Sequence, residues 1–136
     1  MELGTLERGT LECGRRVAFI DDVEELEVFK LAYRVSLDVH KATLSFPKIE
    51  QYDLASQMRR ASKSVCANTA EGFAKQRLSK PEFKRFIGLA IGSSGEMRVW
   101  GRYCLDLEYA SAGRCHQWRM DYQRIIKMLH KLKELY

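Results

Sequence analysis

Residues that break helices are scarce in this chain, whose 136 residues include two prolines and nine glycines. A fold with many strands needs frequent turns, and turns draw heavily on these two residue types. Their scarcity therefore argues against a sheet-rich fold and favours long helices. Hydrophobic residues make up 46% of the sequence and charged residues 30%, a mixture typical of one folded domain with a sizeable core.

Long apolar runs are also missing. No window approaches the roughly 18 uncharged apolar residues that a transmembrane helix requires. The N-terminus lacks the apolar core of a secretory signal. We therefore expect a cytoplasmic protein that has no membrane partner.

Features typical of metal centres and enzymes are absent as well. The four cysteines include no C-x-x-C pair, so neither a zinc ribbon nor a thioredoxin-type site is indicated. The sequence offers no nucleophile with an adjacent base and no carboxylate pair in an evident cleft. The Glu-x-x-His pair of ferritin-like di-metal bundles is missing too. We expect a protein that is not an enzyme and that binds no cofactor.

Apolar residues recur at alternating intervals of three and four along four stretches, which is the spacing of one helix face. The pattern predicts helices over about 23–45, from Gln51 or Asp53 to about 75, over about 79–109, and from about 114 onward. The predicted fold class is an all-α, antiparallel up-down four-helix bundle with long helices, which occupies residues 21–136. Residues 1–20 show no sustained period, and we expect them to form a mobile leader.

Local signals mark the predicted helix ends. Asp22 with Glu25 fits a capping box for the first helix. Ser79 fits the cap of the third helix, with a proline in its first turn. Gly113 suits a helix terminus before the fourth helix.

The first and third predicted helices each carry two apolar seams, although a monomeric bundle needs only one stripe per helix. In the first helix, one seam contains Leu26, Phe29, Tyr33, Leu37, His40 and Leu44, and the other contains Val28, Ala32, Val35, Val39 and Phe46. Surplus apolar area of this kind usually forms a subunit interface. We therefore expect a homo-oligomer.

Three glycines, Gly88, Gly92 and Gly95, lie close together on the third predicted helix. Each costs about 1 kcal/mol relative to alanine in a helix interior. We expect another helix to approach closely along this strip, either from the same subunit or from a neighbour.

The second predicted helix places a short amide, Asn68, on an otherwise apolar face. An unpaired buried amide costs about 1–3 kcal/mol, so this side chain needs a partner. We predict a polar network at a helix or subunit interface that contains Arg60, Asn68, Glu71 and Glu96. In this network Arg60 pairs with Glu71 or Glu96 on a facing helix or subunit.

Basic residues exceed acidic ones, 23 against 18, which gives a net charge of +5 and permits contact with nucleic acid. The alternative is that these bases are only solvated. Two groups stand out, the outward stripe of the second helix and the polar side of the fourth. The candidate nucleic-acid-binding residues are Arg59, Lys63, Arg77, Arg124, Lys127 and Lys131.

Two runs on adjacent predicted helices resemble the small four-helix bundle family named for open reading frames in intervening sequences of bacterial 23S rRNA genes. The first run is Gln57, Arg59, Arg60, Ala61, Ser64, Val65, Asn68, Ala70, Glu71 and Gly72. The second is Phe83, Phe86, Ala90, Gly92, Ser93 and Glu96. The resemblance covers roughly residues 25 to 135, and Thr69 stands where the family usually has Ile.

This resemblance implies ring-shaped homo-oligomers, pentamers in particular. It also implies a relationship to the accessory proteins of diversity-generating retroelements, whose basic rings are thought to bind nucleic acid. Two functional hypotheses stay open at this point. One is an oligomer that binds RNA or an RNA-protein complex. The other is an adaptor or assembly scaffold whose partners are copies of itself and another protein.

Overall fold

The computed structural model describes residues 22–135, which form four α-helices and no strand. The helices are α1 (Glu27–Thr43), α2 (Leu54–Lys75), α3 (Lys80–Asp106) and α4 (Ala112–Glu134). Short 3-10 turns, Val23–Glu25 and Lys48–Glu50, precede α1 and α2. The all-α prediction is confirmed for this range. The predicted leader, residues 1–20, lies outside the described residues. Across residues 22–135, no helix combines the length and the apolar character that a membrane span requires.

The helices form a four-helix bundle in which each one packs against two others. The backbone of α1 lies beside those of α2 and α4, and the backbone of α3 lies beside the same two, whereas α1 and α3, like α2 and α4, are not neighbours within residues 22–135. As the residue number of a contact rises along α2, the residue number of its partner on α3 falls. Met58 meets Cys104, Ser64 meets Ser93, and Gly72 meets Ile87.

The core contains one apolar face each of α2, α3 and α4, whereas the second predicted apolar face of α3 is largely outside, with Leu89, Tyr103 and Leu107 exposed. Trp118 and Tyr122 of α4 and Phe83 of α3 are among the largest fully buried side chains. The apolar face of α4, whose residues recur at intervals of three and four, is buried throughout its length: Trp118, Tyr122, Ile125, Leu129 and Leu132. Burying large apolar side chains contributes about 1.5–3 kcal/mol each, which explains why these faces turn inward.

Only one of the two predicted seams of α1 faces the core. Its residues Val28, Ala32, Val35 and Val39 are buried. The other seam is largely outside, with Tyr33, Leu37 and Leu44 exposed by 51%, 43% and 63%. Among the other three helices, α1 lies beside only α2 and α4. One apolar stripe on α1 is therefore enough to pack against both.

The start of α1 differs from the prediction. Asp22 accepts a hydrogen bond from the Glu24 amide at 2.9 Å, and so caps the 3-10 turn. Leu26 follows with extended backbone, and α1 begins at Glu27 without a side-chain cap. The physical reason is burial, since the extended residue places the Leu26 side chain fully inside the core. The capping box of Asp22 with Glu25 is therefore wrong.

The ends of α3 are set by hydrogen bonds. Ser79 accepts a hydrogen bond from the Glu82 amide at 3.2 Å, which confirms the predicted cap. At the other end α3 stops at Asp106, because Glu108 adopts a left-handed conformation with φ of 60°. The amide of Tyr109 then donates to the Cys104 carbonyl at 3.0 Å, the bond that characterises a Schellman motif.

A glutamate therefore occupies the position that most often belongs to glycine. Gly113 lies inside the first turn of α4, and Ser111 caps that helix by accepting from the Arg114 amide. The prediction that Gly113 ends a helix is wrong.

Asp38 ties α1 to α4. Its carboxylate accepts from Arg114 Nη2 at 2.6 Å, from Arg114 Nε at 3.2 Å and from Trp118 Nε1 at 2.8 Å. The hydrogen bonds from Arg114 hold the pKa of Asp38 below its ordinary value; burial opposes them, and the hydrogen bond from Trp118 lowers the pKa further. The ionised carboxylate is therefore the form that the folded protein favours.

We predict that Asp38→Asn lowers the free energy of unfolding by about 1 kcal/mol at pH 7. That value is below the range for buried charged hydrogen bonds because the pair is partly exposed. A lowered folded-state pKa contributes stability above the unfolded pKa and loses it as the pH falls. The difference between variant and parent should therefore shrink as the pH falls below about 4, the ordinary pKa of an aspartate, and through the lower pKa of the folded Asp38. Denaturant unfolding across this pH range measures it.

The matched control is Asp106→Asn, which removes an exposed carboxylate paired with Arg102 one turn away on α3. Such pairs contribute about 0.3–0.5 kcal/mol. Equal losses for Asp38→Asn and Asp106→Asn would contradict the assigned role of Asp38.

Candidate nucleic-acid interface

The predicted basic residues lie on two helices that are not neighbours in the bundle. Arg59 and Lys63 belong to α2 and Arg77 follows its end, whereas Arg124, Lys127 and Lys131 belong to α4. These helices are diagonal in the bundle. The structure therefore divides the predicted set into two separate surfaces.

Arg59 points into the connection between α1 and α2. Its Nη1 donates to Thr43 Oγ1 at 2.9 Å and its Nη2 donates to the Gln51 carbonyl at 3.2 Å. Gln51 in turn donates through Nε2 to the carbonyls of Thr43 and Phe46. Arg59 is half-buried, so it is not part of an outward stripe, while Lys63 and Arg77 are exposed.

The α4 group continues across to α1. A cleft of about 300 Å³ between the two helices is lined by Lys30 and Arg34 of α1 and by Arg124 and Met128 of α4, with Leu31 and Glu27 completing it. We call this the α1–α4 groove. Its one acidic residue, Glu27, lies 3.4 Å from Lys30 Nζ. The remaining bases leave the groove positively charged.

Lys127 and Lys131 extend this surface along α4. With Arg124 they are spaced by three and four residues, and all three side chains are exposed. Arg34 is exposed on the facing helix. Sequence reasoning missed Lys30 and Arg34 because acidic residues dominate the start of α1. The available signal was their spacing of four, which places them on one face.

The predicted ionic network does not form within the described chain. Arg60 is exposed and donates to Gln57 Oε1 at 2.7 Å, and Glu71 lies 3.7 Å from Lys75 Nζ, one turn away. Glu96 is exposed on α3. Residues on one helix surface pair most readily with neighbours three or four positions away, which explains these local partners. A pairing of Arg60 with Glu71 or Glu96 between subunits stays a prediction.

Asn68 finds its partner locally. Its Nδ2 donates to the Ser64 carbonyl at 2.9 Å and to Ser64 Oγ at 2.8 Å. Ser93 of α3 donates its hydroxyl to the same Ser64 Oγ at 3.0 Å. A neutral chain of three side chains therefore joins α2 to α3. Thr69 is buried and similarly satisfied by the Val65 carbonyl at 2.7 Å.

Close helix approach occurs at different glycines from those predicted. A methyl group at Gly72 would lie 3.0 Å from Ile87 Cδ1, and one at Gly101 would lie 2.9 Å from Arg119 Cγ. A methyl group at Gly92 or Gly95 would meet no atom within 4 Å, and one at Gly88 would meet only Lys133 Nζ at 3.7 Å. The expectation of close approach within the subunit is therefore wrong at Gly92 and Gly95. An approach by a neighbouring subunit stays a prediction.

The outward face of α3 is partly apolar. We call it the outer seam, and its residues follow the alternating spacing of four and three: Leu89, Gly92, Glu96, Val99 and Tyr103. Leu89, Val99 and Tyr103 are exposed by about half of their surfaces. This spacing, sustained over two heptads, is typical of a helix face that packs against another helix.

Groups with metal-binding or nucleophilic chemistry are not assembled in the described range. No cluster of three or more His, Cys, Asp or Glu side chains occurs within residues 22–135. Burial raises the pKa of the Cys66 thiol to about 11 and that of Cys104 to about 12. Both thiols are therefore protonated at neutral pH, a state in which cysteine is a poor nucleophile.

Comparison with protein families identifies a match over most of the chain. Residues 24–131 match the family described as 23S rRNA-intervening sequence protein. The matched span includes α1, α2 and α3 completely and most of α4. No curated protein sequence matches the chain.

We predict that Arg59→Gln lowers the free energy of unfolding by about 1–2 kcal/mol, because the Thr43 hydroxyl and the Gln51 carbonyl lose a charged donor. The matched control is Lys63→Gln, one turn further along α2 and exposed, which should change the value by less than about 0.5 kcal/mol. Thermal or denaturant unfolding of both variants provides the measurement. An unchanged stability of Arg59→Gln would show that this guanidinium does not hold the connection.

Proposed function

The chain belongs to the 23S rRNA-intervening sequence protein family, and from that premise we propose that it is an RNA-binding accessory protein without enzymatic activity. In this proposal the chain is an antiparallel up-down bundle that assembles into a ring, with a pentamer as the expected form. It acts in the cytoplasm on RNA or on an RNA-protein complex.

The α1–α4 groove is the observation that carries the RNA-binding proposal. Arg34, Arg124, Lys127 and Lys131 are exposed and form no ion pair within the described range. Cationic side chains that are free of carboxylates can replace the counterions of a phosphate backbone. Arg34 and Arg124 also lie on opposite sides of one cleft, which suits a strand that lies along it.

The outer seam supports the proposal of an oligomer. The exposed side chains of Leu89 and Val99 lie before and after Gly92 on this face. The space beside Gly92 is open, because a methyl group there would meet nothing within 4 Å. Small residues at such a position let two helices approach closely. A ring would also multiply the net charge of +5 per chain and strengthen the field that attracts RNA.

The same seam favours a second candidate function, that of an adaptor for another protein. In this alternative the outer seam holds a foreign helix, and the bases of the groove serve only solubility. RNA binding and its dependence on salt distinguish the two candidates.

We predict that Arg34→Gln, Arg124→Gln and Lys127→Gln together weaken binding to an unstructured RNA oligonucleotide. The logarithmic slope of affinity against salt concentration should become shallower by about 2, since each lost phosphate contact contributes about 0.7 for single strands. Filter binding or fluorescence anisotropy at several salt concentrations measures both quantities.

The matched control removes three exposed bases elsewhere, with Lys48→Gln, Lys80→Gln and Arg102→Gln. Its effect on affinity should be small, and its salt slope should stay close to that of the parent. RNA binding that is insensitive to salt, or equal losses in both triple variants, would count against the groove.

For the oligomer, we predict that Leu89→Glu with Val99→Glu yields a smaller particle than the parent. Two carboxylates buried against a second copy would be desolvated without partners, which costs several kcal/mol. Analytical ultracentrifugation measures the particle mass. Circular dichroism should show unchanged helix content, because both positions face outward in the single subunit.

Met120→Glu is the control, since Met120 is exposed on α4 and lies outside the outer seam. Its particle should keep the parental mass. If the double variant keeps the parental mass as well, the outer seam is not the contact between copies.

A further inference from the structure

A second cleft, opposite in charge to the α1–α4 groove, lies where α2 begins and α3 ends. Its volume is about 300 Å³, and no basic residue lines it. Its lining combines two carboxylates, two aromatic rings, an amide and two leucines: Glu50, Asp53, Leu54, Gln57, Trp100, Tyr103 and Leu107. An acidic site of this kind is unexpected in a chain with a net charge of +5.

The two carboxylates have different partners. Glu50 is fixed, because its Oε2 accepts from the Tyr109 hydroxyl at 2.7 Å and its Oε1 accepts from the Leu54 amide at 3.2 Å. Glu50 thereby supplies the side-chain cap of α2. Asp53 occupies the N-cap position but makes no capping hydrogen bond, and it is exposed. Its carboxylate is therefore available to a ligand.

The aromatic wall adds a second kind of recognition. The rings of Trp100 and Tyr103 lie 5.8 Å apart at an angle of 47°, and Trp100 is half-buried while Tyr103 is half-exposed. Trp100 Nε1 is buried and has no hydrogen-bond partner in the described range. Aromatic faces attract cations, and this attraction is strengthened where water is excluded.

We propose that this cleft binds an arginine side chain of a partner protein. A guanidinium is planar, stacks on aromatic faces and donates several hydrogen bonds to carboxylates, so it matches a wall of Trp100 and Tyr103 beside Glu50 and Asp53. Lysine offers a compact, strongly hydrated charge and matches the flat wall less well.

The surroundings of the cleft favour a protein partner. Ile49 and Tyr52, on the same connection as the two carboxylates, are 82% and 94% exposed. Exposed apolar side chains on the connection that supplies both carboxylates suit a protein partner, since the residues that dominate protein interfaces are enriched in Trp, Tyr and Arg.

The test follows the indole N–H signals in ¹H–¹⁵N NMR spectra of the full chain during titration with acetyl-Ala-Arg-Ala-amide. The chain has two tryptophans, so Trp100→Phe assigns the signals. We expect the Trp100 signal to shift and saturate. The Trp118 signal, which reports on the buried bond to Asp38, should stay in place and serve as an internal control. The same peptide with citrulline, which lacks the charge, should produce no shift.

Glu50→Gln with Asp53→Asn should weaken binding of the arginine peptide by about tenfold or more, because both carboxylates lose their charge. The Glu50→Gln substitution should leave the fold intact, since the amide oxygen can accept from the Leu54 amide while the amide nitrogen donates to the Tyr109 hydroxyl oxygen. The control, Glu24→Gln with Glu25→Gln, removes two exposed charges that precede α1 and should bind like the parent.

Three results would overturn the proposal. The first is equal binding of arginine and citrulline peptides, and the second is equal binding of a lysine peptide. The third is a Trp100 signal that shifts with protein concentration alone and ignores the peptide, because a second copy would then occupy the cleft. These outcomes do not depend on RNA binding, which is measured separately.

Discussion

Close packing of α2 against α3 is the constraint on which the rest of the bundle depends. Gly72 lets the backbones approach, because any larger residue would press on Ile87 and on the Phe83 carbonyl at 3.3 Å. The chain from Asn68 through Ser64 to Ser93 holds the same pair of helices by neutral hydrogen bonds. With this pair fixed, α3 must turn one face to α2 and another to α4. Its remaining face, the outer seam, is left outside.

The sequence was sufficient for the helices and for most of the core. Apolar spacing is a local signal, and the burial of Trp118 or Phe83 follows from it without knowledge of neighbours. The Ser79 cap was predictable for the same reason, since cap and amide are three residues apart. The choice between the two seams of α1 was not predictable. Both are apolar, and only the positions of α2 and α4 decide which one is buried. Glu108 was also unexpected, because its left-handed conformation is imposed by the return of the chain into α4.

The candidate site could be predicted only in part. Composition indicated the bases of α4, but Arg59 and Lys63 look alike in the sequence, since both are basic and lie one turn apart on α2. The structure separates them because the connection after α1 brings Thr43 and Gln51 to Arg59. Charge signs alone also suggested a pair of Arg60 with Glu71. Within the described chain, Arg60 pairs with Gln57 and Glu71 with Lys75 instead, each within one turn of α2. Such local pairs lose less side-chain conformational entropy than a distant pair would.

The arrangement of the helices makes self-association compatible with RNA binding. A second copy on the outer seam would lie against α3, and α1 is diagonal to α3 in the bundle. Association would therefore leave the α1 side of the α1–α4 groove uncovered. The cleft lined by Glu50 and Asp53, which we call the acidic cleft, shares Tyr103 with the outer seam. A helix that packs on the outer seam would therefore come close to Asp53 and Trp100. Contact between copies would thus limit access to the acidic cleft before it limited access to the basic groove. The two charged surfaces need not respond alike to assembly, because only one of them borders the face on which assembly would occur.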